Sequence, residues 1–390
     1  MQSASAARTE PVTAVAERCV ARRPILDARG RVHGYELLLR DGGLDGLERY
    51  TNGLPGFVSC TADSLLGQPG QTPPAATTVL VIAAATEPTP ELLKVCVALR
   101  AAGFQLALAG EPRNGRGLAE RADYIVVDSS GLDDEARGRL RSFAATKIAR
   151  NVATQEDFQQ AAAAGCTLFE GDYFCQPGMA KNRKTTGNRF FHFELLRHLN
   201  REPIDLKKVA ELVLRDAALT YRLLRLVNSP LCAIQREVTS IEAALIIIGE
   251  QAFRRMATLA ILSELNDGQP QEILQMALVR ARFCALAAAQ SARDAGEQYL
   301  LGLLSLLPAM LGLPMEALTP SLPLRAGIRE ALEGTANAER ALLGWLELHE
   351  HGDWAACDAL ATAGSLKAGA LTRCYGEAID WASATLRAAA

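Results

Sequence analysis

The chain has 390 residues, of which 49% are hydrophobic and 22% are charged, and its formal net charge is −3. This length predicts two or three domains with ample material for apolar cores. The small net charge argues against electrostatic binding of nucleic acid, and no apolar run approaches the ~20 residues that span a bilayer, so no membrane association is expected.

The first 17 residues are rich in Ala, Ser and Thr and lack the apolar run of a signal peptide. We predict a disordered tail over 1–17. The cysteines are scattered singly without a C-x-x-C pair, mostly inside apolar runs. This pattern is typical of a reduced, cytoplasmic protein that has neither disulfides nor a zinc site.

Strands and helices alternate through the first half of the chain. Cys19 to Arg40 has a strand–turn–strand pattern, with the turn at residues 27–30. Such alternation predicts parallel βα units, in an open sheet or in a barrel. Further strands are predicted at 56–60, 78–83, 105–109, 124–128, 147–149 and 167–169, and helices at 89–102, 133–143 and 154–164.

A basic, polar stretch at 181–189 has the composition of a linker and marks the domain boundary. Beyond it the pattern is helical to residue 390. The predicted fold class is therefore α/β followed by all-α. Amphipathic segments rich in Ala and Leu cover about 272–292, 296–312, 337–351 and 367–388.

Three helices are predicted between residues 205 and 256. Asp205 and Asp216 stand where N-caps are needed, and Asn228-Ser229-Pro230 ends the second helix. Thr239 and Glu242 have the spacing of a capping box, and Gly249 is placed to end the third helix in the left-handed conformation. Periodicity alone predicts only a helical bundle.

Motifs in this region resemble the signature of the HDOD domain, a helical relative of HD phosphohydrolases that is used in bacterial signalling. The matching segments are 215–220, 223–229 and 240–249. The resemblance implies a structural or partner-binding role for Asp216, Asn228, Ser229 and Pro230. From the residues themselves, we expect Asp216 to cap its helix and the Asn228 amide to satisfy loose carbonyls.

The first half resembles EAL domains, the barrel phosphodiesterases that cleave cyclic-di-GMP. The matching segments are 35–40, 103–108, 122–128, 149–154 and 169–177. Similarity to EAL–HDOD two-domain proteins extends over about 18–365, and implies an EAL-like domain at 18–180 and an HDOD domain at 190–390. About twenty residues separate Arg40 from Ser59, fewer than in the intact family, so we expect a shortened TIM-barrel-like domain rather than a complete eightfold barrel.

The resemblance implies that four positions of the EAL motif are retained and could contact a ligand: Glu36, Arg40, Asp128 and Glu170. Glu36 matches a metal-binding Glu and Arg40 an Arg that grips phosphate. The other acids, the metal-binding asparagine and the lysine of the active family fall on non-ligand residues: Ser59, Val81, Ala84, Ala109-Gly110, Val126 and Arg150. Since divalent cations need oxygen ligands, this degenerate set predicts no metal, no cofactor and no catalytic residue.

Two interpretations of Glu36 and Arg40 remain open. They lie four apart on a strand and so share a face, where they can form a local ion pair that stabilises the sheet. Alternatively, they retain contact with a nucleotide or phosphate.

The resemblance also implies where an HD enzyme would carry its metal-binding dyad, and Ser305 and Leu306 stand there instead of His and Asp. His349 and His351 are two apart on a helix and point in different directions, so we expect a solvated pair rather than ligands. The prediction is that the chain is not an enzyme.

We therefore predict a non-catalytic adaptor or regulator in cyclic-di-GMP or two-component signalling that acts by protein–protein binding. Candidate partners are a diguanylate cyclase, a phosphodiesterase or a histidine kinase, and the oligomeric state stays open. The alternative is a residual cyclic-di-GMP or nucleic-acid sensor that uses a basic cluster. A solvated helix face, diluted by nearby acidic residues, is the simpler explanation of these charges, and nucleic acid is not expected. The cluster comprises Arg183, Lys184, Arg189, Arg197, Arg201, Lys207, Lys208, Arg215, Arg222 and Arg225.

The aromatic run Phe190-Phe191-His192-Phe193 follows the linker directly. Large apolar groups at a boundary favour burial, so these side chains either anchor a rigid docking of the two domains or begin the helical core.

Overall fold

The computed structural model describes residues 19–40, 46–67, 75–110, 116–132, 134–176, 187–199, 204–229, 232, 234, 237–266, 268–291, 293–322 and 324–389. The predicted tail at 1–17, the linker residues 181–186 and Pro230 lie outside these residues. Within them, a closed barrel of eight strands forms the N-terminal part and helices form the C-terminal part.

The barrel strands follow chain order around the closed sheet. Strand β1 is antiparallel to both of its neighbours, and the other adjacent pairs are parallel. The bounds are β1 Val20–Asp27, β2 Val32–Leu39, β3 Gly56–Cys60, β4 Thr78–Ala83, β5 Gln105–Ala109, β6 Tyr124–Asp128, β7 Thr146–Arg150 and β8 Leu168–Glu170. The helices between them are α1 Glu48–Thr51, α2 Ala62–Leu66, α3 Pro90–Ala101, α4 Arg116–Ala119, α5 Asp134–Arg141 and α6 Gln155–Ala163.

The expectation that the barrel would be incomplete is wrong. The connection from β2 to β3 contains the four-residue helix α1, and this short element still allows β3 to pair in parallel with β2. The sheet closes because β1 pairs with β8 from Ile25 to Asp27. The turn predicted between β1 and β2 is confirmed, and Asp27 Oδ1 accepts hydrogen bonds there from the backbone N–H of Arg29 and of Arg31.

Alternate residues of seven strands form one buried apolar cluster, which fills the inside of the barrel. Its members are Ile25, Phe57, Val79, Val81, Ala107, Tyr124, Val126, Ile148 and Leu168. The outer faces of β1 and β2 pack elsewhere: Tyr35 and Leu37 join a cluster that continues into the C-terminal helices. One apolar core is thus shared by the barrel and the helical part.

The helical part contains twelve helices among the described residues. They are α7 Gly187–Leu199, α8 Leu206–Val213, α9 Ala217–Val227, α10 Ile241–Leu265, α11 Gln271–Ala288, α12 Ala295–Leu304, α13 Leu307–Leu311, α14 Met315–Leu318, α15 Ala326–Leu332, α16 Ala341–Glu350, α17 Trp354–Ala363 and α18 Ala368–Ala389. Helix α11 is central and is buried on most of its surface. Helix α12 approaches it so closely that a Cβ at Gly302 would lie 2.4 Å from the carbonyl oxygen of Arg280.

Local signals set the ends of α8 and α9 as predicted. The Asp205 side chain accepts from Lys208 N–H, and Asp216 caps α9. The predicted capping box is wrong by one residue, because the Ser240 hydroxyl, not that of Thr239, accepts from Ala243 N–H. A helical segment does end at Gly249 as predicted: its backbone is non-helical, with φ 76° and ψ 168°, and it separates two helical segments within α10. The φ is positive as expected, but the ψ is not that of the left-handed helical conformation.

No single helix in the described ranges combines the length and apolarity needed to cross a bilayer. One pair bent by 102°, Ala295–Leu311 with Met315–Ser321, meets the criterion by length and composition only.

Candidate functional site

Four charged side chains converge at the end of the barrel where the parallel strands finish. Glu36, Arg150 and Glu170 belong to β2, β7 and β8, and all three lie on the inward-facing register of their strands. Arg23 joins them because antiparallel β1 starts at this end, where Arg23 is directly opposite Glu36. We call these four residues the mouth cluster.

The mouth cluster alternates positive and negative charges. Arg150 Nη2 donates to Glu36 Oε1, and Arg150 Nε donates to Glu170 Oε2 at 3.1 Å. Arg23 Nη1 lies 2.8 Å from Glu170 Oε1, close enough for an ion pair. Glu36 and Glu170 are only 4% and 1% exposed. Such burial of two carboxylates requires the two guanidinium groups beside them.

The position of Glu170 favours its protonated form. Burial raises the pKa of Glu170 to about 8, the neighbouring Glu36 adds to this effect, and Arg23 and Arg150 oppose it. A carboxyl group with such a pKa can exchange a proton near neutral pH. The mouth cluster therefore contains one group that can donate and accept protons under ordinary conditions.

Asp128, at the end of β6, lies outside this hydrogen-bonded cluster. It accepts from Ser130 N–H at 2.9 Å, from Ser130 Oγ at 2.6 Å and from Asn151 Nδ2 at 2.6 Å. Desolvation works against the ionised form, but these hydrogen bonds outweigh it and lower the pKa of Asp128. Asp128 thus organises the loops that follow β6 and β7.

Arg40 and Glu36 do not pair with each other, so the predicted local ion pair is wrong. Glu36 is engaged by Arg150. Arg40, one residue beyond β2, forms two hydrogen bonds to the Asp358 carboxylate on α17, at 2.8 and 2.5 Å. The spacing places Glu36 and Arg40 on one face of β2. Each side chain nevertheless pairs with a residue from another element, Glu36 with Arg150 and Arg40 with Asp358.

The residues at this end of the barrel do not fit a divalent cation site. The two converging carboxylates are already neutralised by arginines, and Val81 and Val126 are part of the apolar interior. Across the described ranges, no group of three or more His, Cys, Asp or Glu side chains has an arrangement that could hold a metal ion. A cation would have to displace Arg150 before it gained two oxygen ligands.

The HDOD signature residues make local hydrogen bonds. Asp216 Oδ1 accepts from the N–H groups of Ala218 and Leu219, which confirms the predicted cap, and Asp216 Oδ2 lies 2.9 Å from His192 Nε2. Asn228 Nδ2 donates to the carbonyls of Leu224 and Val238, as expected for a residue that satisfies loose carbonyls. Ser229 Oγ donates to Leu226 O at 2.6 Å.

The two histidines at the end of α16 are not a solvated pair. His349 is fully buried against the rings of Trp345, Trp354 and Tyr375, with neither ring nitrogen hydrogen-bonded, and burial lowers its pKa to about 3. His351 Nε2 lies 2.8 Å from Asp172 Oδ2 of the barrel. The prediction failed because α17, α18 and the barrel rim cover this end of α16.

Where an HD enzyme would carry its dyad, Arg280 organises the packing of α11, α12 and α16. Its guanidinium donates to Glu350 at 2.7 and 3.3 Å and to Ser305 Oγ at 3.4 Å. Ser305 Oγ in turn donates to Gly302 O. These contacts are structural, and Leu306 is simply buried.

Three residues of the basic cluster are paired with acidic side chains. Arg197 pairs with Glu194, Lys208 with Glu211, and Arg222 with Glu264. The residues Arg183, Lys184 and Arg201 lie outside the described part of the chain, as does the side chain of Arg189.

Sequence reasoning missed the contact that joins the two halves. Glu272, in the first turn of α11, is 3% exposed and accepts from Tyr35 Oη of β2 at 2.9 Å. Arg22 of β1 lies 3.8 Å from the same carboxylate and donates to Tyr50 O. A cavity of about 30 Å³, space for one water molecule, borders Arg22 and Glu272. Nothing in the spacing of Glu272 along the chain marks it as an interface residue.

The halves are thus docked. On the barrel side, hydrogen bonds and ion pairs between them come from β1, β2, α1 and residues just after β2, α1 and β8. On the helical side, they come from α11, α17, α18 and the residue directly after α16. Arg49 pairs with Asp380 at 2.6 Å, and Ser383 Oγ donates to Asn52 Oδ1 at 2.7 Å. Phe191 is half-buried beside His192. The side chains of Phe190 and Phe193 lie outside the described part.

The HDOD domain family matches residues 191–345 of this chain. Two curated proteins match over most of their length. The Vibrio cholerae protein named cyclic di-GMP phosphodiesterase CdgJ is 30% identical over 369 residues, which are 86% of this chain and 85% of CdgJ. The uncharacterized protein YuxH of Bacillus subtilis is 26% identical over 399 residues, which are 93% of this chain and 97% of YuxH.

Solved structures overlap the chain only partially. The Klebsiella pneumoniae BlrP1 complex with calcium and cyclic-di-GMP has a TM-score of 0.34 and 19% identity, and the match covers 40% of this chain and 54% of BlrP1. An EAL domain protein from Listeria monocytogenes has a TM-score of 0.33 and 13% identity, covering 40% of this chain and 87% of that one.

The name of CdgJ contradicts our prediction that the chain is not an enzyme, and that prediction is wrong. It rests on the loss of most of the expected ligand positions, and that loss does not determine what the remaining carboxylates, Glu36 and Glu170, can do. Because it is 30% identical to CdgJ over 86% of its length, the chain belongs to the same family as the Vibrio cholerae protein named cyclic di-GMP phosphodiesterase CdgJ.

Proposed function

We propose that this protein is a regulator in cyclic-di-GMP signalling that acts by protein–protein binding, with a TIM-barrel-like EAL domain of altered ligand set fused to the HDOD domain. The membership of the CdgJ family supports the signalling context. The scattered single cysteines support a reducing compartment, the cytoplasm. Partners of the proposed kind are a diguanylate cyclase, a phosphodiesterase or a histidine kinase.

Exposed apolar side chains in the HDOD region carry the protein-binding part of the proposal. Ile246 is 82% exposed, and Ile247 beside it is 49% exposed. Leu214, directly after α8, and Tyr221, on α9, are 51% and 68% exposed. A single exposed apolar residue is ordinary, but several within one stretch of a domain favour a surface that another protein covers.

The experiment compares cellular cyclic-di-GMP in the native cell after deletion and complementation. Deletion should change its level, and the wild-type chain should restore it. The double variant Ile246→Ser/Ile247→Ser should fail to restore it although the protein is folded and present in equal amount. Val97→Ser, which alters a 54% exposed apolar side chain on barrel helix α3, is the matched control and should restore the level.

An unchanged level of cyclic-di-GMP after deletion would contradict the signalling role. Full complementation by the double variant would contradict the binding surface.

Hydrolysis of cyclic-di-GMP is a second candidate function, favoured by the name of CdgJ and by the pair of buried carboxylates in the mouth cluster. Glu170, with its raised pKa, has the protonation behaviour of a general acid or base. The purified full chain would be incubated with cyclic-di-GMP and Mg²⁺ or Mn²⁺, and the linear dinucleotide measured. Turnover that disappears in Glu36→Gln and Glu170→Gln would assign the activity to this site, whereas turnover retained in both would assign it to a contaminant.

A further inference from the structure

A cavity of about 410 Å³ lies between the barrel and the helical part. The β1–β2 turn and the loop before β3 line it on the barrel side, and the start of α11 lines it on the helical side. It is therefore at the end of the barrel where the parallel strands start, opposite to the mouth cluster. Its volume lies within the range of about 300–1,000 Å³ that is common for small-molecule sites. We call it the junction cavity.

Two contacts between the halves border the junction cavity. Gly30, in the β1–β2 turn, is packed against the residue that precedes α11: a Cβ at Gly30 would lie 2.9 Å from Pro270 Cγ. Ser383 Oγ of α18 donates at 2.7 Å to Oδ1 of Asn52, which lines the cavity. The cavity thus exists only while the barrel and the helices are docked, and a ligand that fills it contacts both halves.

Two deeply buried side chains line the junction cavity, and both have unused acceptor positions. Glu272 and Gln275 are 3% and 8% exposed. A carboxylate offers about four acceptor positions, and within the described part of the chain Glu272 accepts one hydrogen bond, from Tyr35 Oη. Gln275 Nε2 donates to Ser383 Oγ at 3.4 Å, and because the Ser383 proton goes to Asn52, the serine can only accept from this amide. The amide orientation is thus fixed, and Gln275 Oε1 has no donor among the described residues.

These acceptors favour a ligand whose inner end donates hydrogen bonds without carrying a positive charge. Arg22 lies 3.8 Å from the Glu272 carboxylate and already balances its charge. A second cation beside Glu272 would be repelled by Arg22 and would lose its hydration. Neutral N–H groups satisfy the acceptors without this cost.

Exposed arginines mark the opening of the junction cavity. Arg29 and Arg31 both line it and are exposed. Arg31 pairs with Asp27 at 2.7 Å, whereas the Arg29 side chain has no ion pair within the described ranges. Arg29 is thus available to an anionic group at the opening, where charge-assisted hydrogen bonds are strong.

We propose that the junction cavity binds a guanine mononucleotide, with the base innermost and the phosphate at Arg29. The neutral base presents N1–H and N2–H side by side on its Watson–Crick edge, and these are donors for Glu272 and Gln275. Val32 and Leu54 supply apolar surface for the flat base. Adenine has an acceptor, N1, where guanine has a donor, so it would face the buried carboxylate with the wrong group.

Calorimetric titration of the full chain with GMP tests the site. AMP should bind at least about tenfold more weakly than GMP because its acceptor is left opposite the carboxylate. Gln275→Met, which keeps the size of the side chain and removes the acceptor, should weaken GMP binding about two- to tenfold. Arg29→Ser, at an exposed turn position, should weaken it about two- to fivefold. Arg329→Ser, which removes an exposed arginine of α15, is the matched control and should leave the affinity unchanged.

Hydrogen exchange locates the bound nucleotide. GMP should protect residues 27–32 and 269–275, which contribute to both walls of the cavity. Protection confined to the ends of β2, β7 and β8 would place GMP at the mouth cluster and overturn the inference. So would absence of GMP binding, equal affinities for GMP and AMP, or full GMP affinity in both Gln275→Met and Arg29→Ser. Binding of L-arginine in place of GMP would also contradict it, because the inner end would then accept a cation.

Discussion

Each charge in the mouth cluster depends on a neighbour of opposite sign. Arg150 contacts two carboxylates, and Glu170 is within ion-pair distance of two guanidinium groups. Removing one member leaves another buried charge without compensation, which costs far more free energy than the pair contributes. Conservative variants that keep shape and change only charge are therefore the informative ones.

Glu170→Gln should flatten the pH dependence of stability. The folded-state pKa of Glu170, about 8, lies above the ordinary value of 4.5, so folding favours the protonated carboxyl. The contribution of Glu170 is fully present below pH 4.5 and is lost as pH rises to about 8. Because Gln resembles the protonated form, the variant should lose less stability over this range. Thermal unfolding from pH 5 to 8 measures the loss of stability in each protein. Glu211→Gln, at a half-exposed position, is the control. Superimposable profiles for wild type and Glu170→Gln would contradict the raised pKa of Glu170.

Asp216→Ala should lower the free energy of unfolding by about 0.5–2 kcal/mol, because α9 loses its N-cap. Asp216→Asn should retain most of the stability, since Asn is an equally good cap. Urea-induced unfolding of the three proteins gives the comparison. An Ala variant of unchanged stability that no longer binds a partner would show that Asp216 acts in recognition instead of capping.

At the scale of the element, the break within α10 depends on the backbone conformation of its glycine. Gly249 has φ and ψ values that are essentially restricted to glycine, and nothing lies within 4 Å of where its Cβ would be. The constraint is thus in the backbone and not in side-chain packing. The break also follows directly after the exposed Ile246 and Ile247, so it helps to set how these side chains are presented.

Gly249→Ala should therefore destabilise the protein by about 1–3 kcal/mol although it introduces no clash. Gly138→Ala is the matched control: Gly138 is exposed in α5, its Cβ would also meet nothing within 4 Å, and its φ is not positive. That substitution should stabilise by about 0.5–1 kcal/mol. Chemical unfolding measures both, and effects of the same sign would contradict the backbone explanation.

At the scale of the whole molecule, the barrel and the helices form one unit. Apolar residues of β1 and β2 share a core with the helices, and Glu272, Tyr35 and Arg22 make the polar contact within it. A signal that reaches either half can therefore affect the other through direct contact. This arrangement suits a protein that regulates a partner in response to a ligand.

Glu272→Ala should destabilise the chain by about 3–5 kcal/mol, because it leaves Arg22 buried without a counter-charge and Tyr35 Oη without its acceptor. It should also loosen the docking of the two halves. Calorimetry should show one unfolding transition in the wild type and two in the variant. Small-angle scattering should show a larger radius of gyration for the variant than for the wild type. Glu135→Ala, which removes an exposed pair with Arg139 within α5, is the control. A variant that stays compact and unfolds in one step would contradict the role of Glu272.

The sequence by itself determined the features that depend on residues close along the chain. The caps at Asp205 and Asp216, the β1–β2 turn and the strand periods arise from contacts within a few residues, so their signals are readable from spacing. Tertiary structure alone decided the closure of the barrel, the burial of His349 and the pairing of Arg40 with Asp358, 318 residues away. Electrostatic attraction is not directional and does not specify a partner, so which carboxylate meets which guanidinium is decided only when packing brings them together.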